Sequence, residues 1–317
     1  MPQQLNTHVP VHLKSSFNHL SQLMRQDPGD RRFAPAAPVD DFSQAIISLL
    51  SARKILVLTG FCILDAMAGE TDGLTGALVL ASTLSLLNKS VDIVTDKYSA
   101  TLLKAGLQAG FPQIAAKIVF HVIPTEQSSA DEALRRLFES FCPDHVIAIE
   151  RPGKASDGHS YSMRGELLNH VIPQFDSLFE TCRRRACPTL AIGDGGNELG
   201  MGRLKTYIHQ HVLLGDKIAC ITPADYLIPT GVSNWAGYGL AAALSLITGN
   251  MLCPPAETEI AMLKAMVAVG AVDGCTKKRT VTVDGLSLES YLTPIRQMID
   301  FATHCLVELH GKELFHD

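Results

Sequence analysis

The residues best suited to chemistry lie in one short segment, Gly193-Asp194-Gly195-Gly196-Asn197-Glu198-Leu199-Gly200-Met201-Gly202. Its glycines allow a tight turn and a close approach of backbone to a ligand. The N–H groups of Gly195 and Gly196, with Asn197 beside them, are candidates to hold an anion, more so if Asn197 to Gly200 opens a helical turn. Asp194 and Glu198 offer hard oxygen donors of the kind Mg²⁺ or Mn²⁺ takes. A second cluster is Glu150-Arg151-Pro152-Gly153-Lys154. Glu150 suits metal binding or proton transfer, and Arg151 or Lys154 suits a substrate carboxylate, Arg through its bidentate fork. Asp157 and His159 follow, and His159 is the one of 12 histidines singled out to titrate near neutrality and move a proton. Glu70, Asp72 and Asn234 stand at the starts of two apolar helical runs, where they can touch substrate or cap the helix. Each cluster also has a plain structural reading: a surface turn, an ordinary Glu150–Arg151 ion pair, a solvated His159. The spacing GxGxxG is absent, and no Walker Lys-Ser/Thr follows, so a nucleotide fingerprint is missing.

These clusters follow short apolar runs that read as buried strands: Ile55–Gly60, Val91–Asp96, Lys117–Ile123, His145–Ile149, Thr189–Ile192 and Lys217–Ile221. Helical patterns alternate with them: Asp40 or Asp41 to about Leu50, Leu74–Leu87, Ser99 or Thr101 to Gly110, and Ala130–Phe141 capped by Ser128 or Ser129. A helix from Gly165 to Arg185 broken at Pro173 follows, then Trp235–Ile247, Thr258–Val269 and Leu288–Leu309. Thr280–Val283 with Asp284-Gly285 reads as a short strand and turn. Such alternation predicts an α/β fold, a doubly wound and mostly parallel sheet with helices on both faces. Residues 1–38, with a helix at Phe17–Met24, form an N-terminal arm, and residues 39–317 a single α/β domain. In a parallel sheet the polar strand ends share one rim, where ligands bind. The reading therefore depends on Glu150 and Asp194 meeting at one pocket mouth.

The chain has 317 residues, 46% hydrophobic and 19% charged, with a formal net charge of -5. That balance gives no footprint for nucleic acid, and Arg183-Arg184-Arg185 suits the C-terminal end of a helix. The eight cysteines form no CxxC pair, so reduced thiols and a cytoplasmic setting are expected, with Cys62 the one to watch because it follows a strand end. The first thirty residues lack the apolar core of a signal peptide; the segment up to Gln26 is free of acids but poor in Arg, a weak transit pattern. Ala236–Ile247 is too short to span a bilayer and is interrupted by Gly237 and Gly239. The expected partner is a small anionic substrate, with neither nucleic acid nor membrane; the apolar C-terminal helix or the arm could pair copies in a homo-oligomer.

Five strings together resemble the D-glutamate cyclase C-terminal domain family: Glu70-Thr71-Asp72-Gly73 with Gly76-Ala77, Val94-Thr95-Asp96, Ile149-Glu150-Arg151-Pro152-Gly153, Gly193 to Gly202 as above, and Ser233-Asn234-Trp235-Ala236. The likeness covers about Asp41 to Leu309, and Gly-Asp-Gly-Gly-Asn-Glu is its most specific part. It implies a carbon–oxygen lyase, a hydro-lyase that converts D-glutamate to 5-oxo-D-proline and water. Animal members carry a preceding hydratase-like domain and are mitochondrial, which adds the mitochondrial matrix as a location. In such a reaction the amine attacks its own γ-carboxylate, so correct folding of the substrate lowers the barrier. A divalent metal held by Asp194, Glu198 or Glu150 would polarise that carboxylate. The Gly195 and Gly196 amides would hold the oxyanion, and a free carboxylate or His159 would shuttle the proton. Arg151 or Lys154 would hold the α-carboxylate. A metal-dependent phosphoesterase and a non-catalytic binding domain for an anionic metabolite are the alternatives.

Overall fold

The computed structural model describes residues 9–313. Its strands are β1 Lys54–Thr59, β2 Cys62–Ile63, β3 Ala68–Gly69, β4 Ser90–Thr95, β5 Val119–Val122, β6 His145–Ile149, β7 Thr189–Gly193 and β8 Tyr226–Pro229. The helices are α1 Lys14–Met24, α2 Asp41–Ser51, α3 Leu74–Leu86, α4 Ala100–Gly110, α5 Gln127–Phe141 and α6 Asp176–Arg184. After them come α7 Lys205–His211, α8 Gly215–Ile218, α9 Ser233–Thr248, α10 Ala256–Ala268 and α11 Leu288–Glu313.

Six strands form one sheet in the order β5-β4-β1-β6-β7-β8, and every pair is parallel. Successive residues of a strand face opposite sides. Ile55 and Val57 enter a core with α1–α4 and α9–α11, whereas Leu56 and Leu58 enter a second core with α5, α6 and α7. Helices therefore cover both faces, as the strand runs predict. The chain enters the sheet at its middle, fills β4 and β5 on one side, then returns to place β6, β7 and β8 on the other. The connections that leave the carboxyl ends of β1 and β6 run to opposite sides of the sheet at this reversal, the crevice where such sheets bind ligands. The segment expected as an arm contributes Phe17, Leu20 and Met24 to the larger core.

Helices α3 and α9 are buried on nearly every side. Their crossing depends on glycine: a Cβ on Gly76 would lie 2.8 Å from Asn234 Cα, and one on Gly237 would lie 2.6 Å from the Gly76 carbonyl oxygen. This contact brings the start of α9 against the loop before α3.

Several elements differ from expectation. The sixth strand is Tyr226–Pro229, and Lys217–Ile221 is not in the sheet. A short apolar run cannot be assigned by periodicity alone, and this one ends α8 and then props up the rim. Cys220 N–H donates to the Gly196 carbonyl at 3.0 Å and Ile221 N–H to that of Lys154 at 2.9 Å. Pro229 is tolerated because it closes an edge strand. The helix expected from Gly165 is confined to α6, with turns before it. Glu126, rather than Ser128 or Ser129, caps α5, accepting from the Ser128 and Ser129 amides at 3.0 and 2.7 Å. Thr280–Val283 forms only an isolated bridge between Val283 and Leu286. The loop after β1 contains the antiparallel β2–β3 pair.

Candidate active site

Three strand-end or helix-start acids converge at the crevice. One carboxylate oxygen each from Asp72, Glu150 and Asp194 lies within 4.8 Å of the others, and all three side chains are buried. Glu150 follows β6 in the left-handed region at φ +45°, which turns its side chain from the strand into the crevice. Gly73 makes room for it. Gly73 has φ +77°, and a Cβ there would lie 2.2 Å from Glu150 Cβ.

Asp72 receives the first amides of α9, from Asn234 N–H to Oδ1 and Ser233 N–H to Oδ2, each at 2.9 Å. It thus caps a helix to which it does not belong, and the positive end of α9 faces the acids. Ser233 Oγ donates to Glu150 Oε2 at 2.5 Å. Asp194 follows β7. Its Oδ1 accepts from Arg31 Nη1 at 2.8 Å, and its buried Oδ2 has no partner. Arg31 also reaches Asp284 Oδ2 at 3.0 Å.

Glu150, Asp194, Arg31 and Asp284 line a cavity of about 260 Å³ with Phe61, Ile63, Glu70, Met163, Arg164 and Cys275, and Asp72 lies buried behind Glu150 and Asp194. Acids outnumber cations in its wall. Burial first, then Asp284, pushes the Asp72 carboxyl up to about 8. Burial and then Asp194 hold the Glu150 carboxyl well above its usual range. Burial, Asp284 and Asp72 do the same to Glu70. Asp194 is also raised by burial, although Arg31 opposes the shift. Buried like charges cannot all ionise without a compensating cation. Hard oxygen donors, one of them without a protein partner, fit Mg²⁺ or Mn²⁺.

The other sequence-expected residues are placed differently. Glu198 is turned under the Gly-rich turn, where its carboxylate accepts from the amides of Asp194 at 3.1 Å and of Gly195 and Gly196 at 2.6 Å each. An internal carboxylate thus takes the amides expected to hold an anion, and Glu198 stays outside the cluster of three. Asn197 Nδ2 donates to the Tyr161 carbonyl at 2.7 Å. Asn234 joins α9 to α3, with Gly76 N–H donating to its Oδ1 at 2.8 Å and its Nδ2 donating to the Thr71 carbonyl at 3.0 Å.

Arg151 is fully buried beneath the rim. It pairs with Asp96, donates to the Gly60 carbonyl at 2.9 Å and the Pro173 carbonyl at 2.5 Å, and stacks 3.8 Å from the Phe175 ring centre. It ties strand ends together and does not reach the cavity. Lys154 pairs with Glu180 at 2.7 Å beside a separate cavity of about 300 Å³ that gathers no comparable set of acids. His159 is half exposed, 3.4 Å from Asp157, and does not line the crevice. Sequence reading missed Arg31, Arg164 and Asp284. Arg31 sits in a polar turn among Asp, Pro and Gly, with no pattern to distinguish it from solvated surface.

The family model for the C-terminal region of D-glutamate cyclase-like proteins matches residues 20–299, a span that includes every residue of the crevice from Arg31 to Asp284. The chain belongs to that family. Human mitochondrial D-glutamate cyclase is 34% identical over 253 residues, which is 75% of this chain and 41% of the relative. The chain thus spans less than half the length of that D-glutamate cyclase. Among the described residues no helix is long and apolar enough to cross a membrane.

Proposed function

We propose that the chain is a D-glutamate cyclase-like lyase that closes D-glutamate to 5-oxo-D-proline and water, with a divalent metal at Asp72, Glu150 and Asp194. The observation that carries the reading is the convergence of these three acids in a small crevice of a family member. A cavity of about 260 Å³ lies just below the usual range for drug-sized ligands and suits an amino acid better than a nucleotide.

The substrate ammonium faces the acidic wall. Arg164 is the cation of the wall without an ion pair among the described residues, its Nη2 donating to the Cys275 carbonyl at 3.2 Å; we assign it a substrate carboxylate. The nitrogen loses two protons as it attacks the γ-carboxyl carbon, and the departing oxygen gains two as it leaves as water. A carboxylate of the wall outside the metal set, Glu70, can carry both in turn, because burial, Asp284 and Asp72 hold it above its usual range and so make it a stronger base. A bound Mg²⁺ or Mn²⁺ would make the γ-carboxylate electrophilic. We assign the chain to a reducing compartment, cytoplasm or mitochondrial matrix.

The test is incubation with D-glutamate, with and without Mn²⁺ or Mg²⁺, followed by NMR detection of 5-oxoproline. Conversion that Glu150→Gln and Asp194→Asn each abolish supports the assignment. Wild-type turnover in both variants removes it.

A further inference from the structure

We propose that Arg31 is a positioning residue for the metal: its ion pair holds Asp194 so that Oδ2 is left free to ligate beside Asp72 and Glu150. The inference rests on the metal reading of the preceding subsection.

Asp194 divides its two oxygens. Oδ1 is engaged by Arg31 at 2.8 Å, while Oδ2 is buried with no partner. Arg31 is itself aimed from both ends. Its other guanidinium nitrogen is held by Asp284 at 3.0 Å. The Asp27 carboxylate accepts the backbone amides of Arg31 at 2.7 Å and Arg32 at 2.6 Å. Asp30 and Arg32, on either side, take φ +51° and +65°, a conformation that L-residues adopt at a cost. The turn is pinned beyond these residues as well. Gly231 N–H donates to the Met24 carbonyl at 3.0 Å, and Phe33 is buried in the second core. A segment distant in sequence is thus fixed in place with its guanidinium on one oxygen of the cluster.

Groups behind the ligands commonly orient a carboxylate and, when removed, weaken metal binding by about 10–100-fold. The opposite role is also physical: a guanidinium could repel a divalent ion or occupy its place. Geometry favours positioning, because Arg31 leaves Oδ2 free and because Glu70, Glu150, Glu198 and Asp284 keep the surroundings acidic.

The experiment is Mn²⁺ titration of the full chain at fixed pH, read by electron paramagnetic resonance or calorimetry, with melting temperature measured in parallel. Arg31→Met is expected to weaken Mn²⁺ by about tenfold or more, and Arg31→Lys to restore most of the loss. Asp27→Ala loosens the turn without changing the residues on the acids, and is expected to weaken Mn²⁺ less but in the same direction. Unchanged or tighter Mn²⁺ in Arg31→Met overturns the inference and leaves the metal reading standing. No Mn²⁺ binding by the wild type overturns both. If Arg31→Met does not fold, the Asp27→Ala affinity decides: a value equal to or tighter than wild type overturns the inference.

Discussion

Ser233 Oγ donates to Glu150 Oε2 at 2.5 Å and so joins the first residue of α9 to the acid that ends β6. Ser233→Ala removes this one donor and keeps the backbone amide that Asp72 accepts, so α9 stays capped. A hydrogen bond to a charged group contributes about 1.5–3 kcal/mol. The rate of 5-oxoproline formation is expected to fall by about tenfold or more, and the melting temperature to fall with it, because Glu150 stays buried without this donor. Unchanged kcat would show that this bond does not position Glu150 for the reaction.

Stability should be nearly level from about pH 4 to 6.5, where Asp72 and His145 oppose each other, and should fall from about 6.5 to 8, where Asp72 acts alone. Burial raises Asp72 to about 8 in the folded chain, whereas an unfolded Asp titrates near 4. The folded state then binds more protons over that window, and stability falls as pH rises from about 4 to 8. Burial lowers His145 to about 4, against about 6.5 when unfolded. Here the unfolded state binds more protons, and stability falls as pH drops from about 6.5 to 4. His145→Gln should leave a melting-temperature profile that falls from about pH 4 to 8, and Asp72→Asn one that rises from about 4 to 6.5 and is then level. A divalent ion at the triad relieves the repulsion that protons relieve at lower pH. Mn²⁺ is therefore expected to raise the melting temperature more at pH 8 than at pH 6, and chelation to reverse the gain. A His145→Gln profile that rises from about pH 5 to 8, or an Asp72→Asn profile that falls over that range, would contradict these assignments.

Gly73 tests whether the position of Glu150 matters. Gly73→Ala meets both a positive φ and a Cβ contact of 2.2 Å with Glu150. Gly158, at φ +85°, has open space where a Cβ would go. Gly158→Ala therefore bears only the backbone cost, about 1–2 kcal/mol. Gly73→Ala is expected to lower the melting temperature further and to abolish Mn²⁺ binding and cyclisation. Equal melting temperatures, with activity intact in both, would show that Glu150 is free to move.

The rim acids were legible because a buried strand declares itself by apolar run and glycine stop, and the polar residue after it must lie at the carboxyl edge. Glu150 and Asp194 were found this way, and Asp72 from its place before an apolar helix. What a side chain at that edge binds was less legible. Arg151 and Glu198 stand in the same clusters, yet their partners are Asp96, the Pro173 carbonyl and the backbone of the turn. Residue type gives a charge but not the partner that neutralises it. Arg31 was hidden for another reason. Its contacts with Asp194 and Asp284 cross 163 and 253 residues, and local pattern carries no signal over such separations. The β8 edge strand is short and closes on Pro229, so the more apolar Lys217–Ile221 competed for its place.

Arg151 separates a structural cation from a substrate clamp. Its guanidinium is fully buried on Asp96, two carbonyls and the Phe175 ring. Arg151→Met leaves Asp96 buried and uncompensated, and breaking a buried pair from one side costs about 3–5 kcal/mol. Asp96 also caps the turn into α4 by accepting the amides of Tyr98 at 2.9 Å and Ser99 at 3.1 Å, so the loss should spread to β4 and α4. Arg151→Met is expected to melt well below wild type. In the temperature range where it remains folded, KM for D-glutamate should be nearly unchanged. Arg151→Met with Asp96→Asn should recover part of the loss, because the double variant no longer buries a lone charge. A clamp would give the opposite pattern: wild-type melting, a large rise in KM, and no recovery from the second substitution.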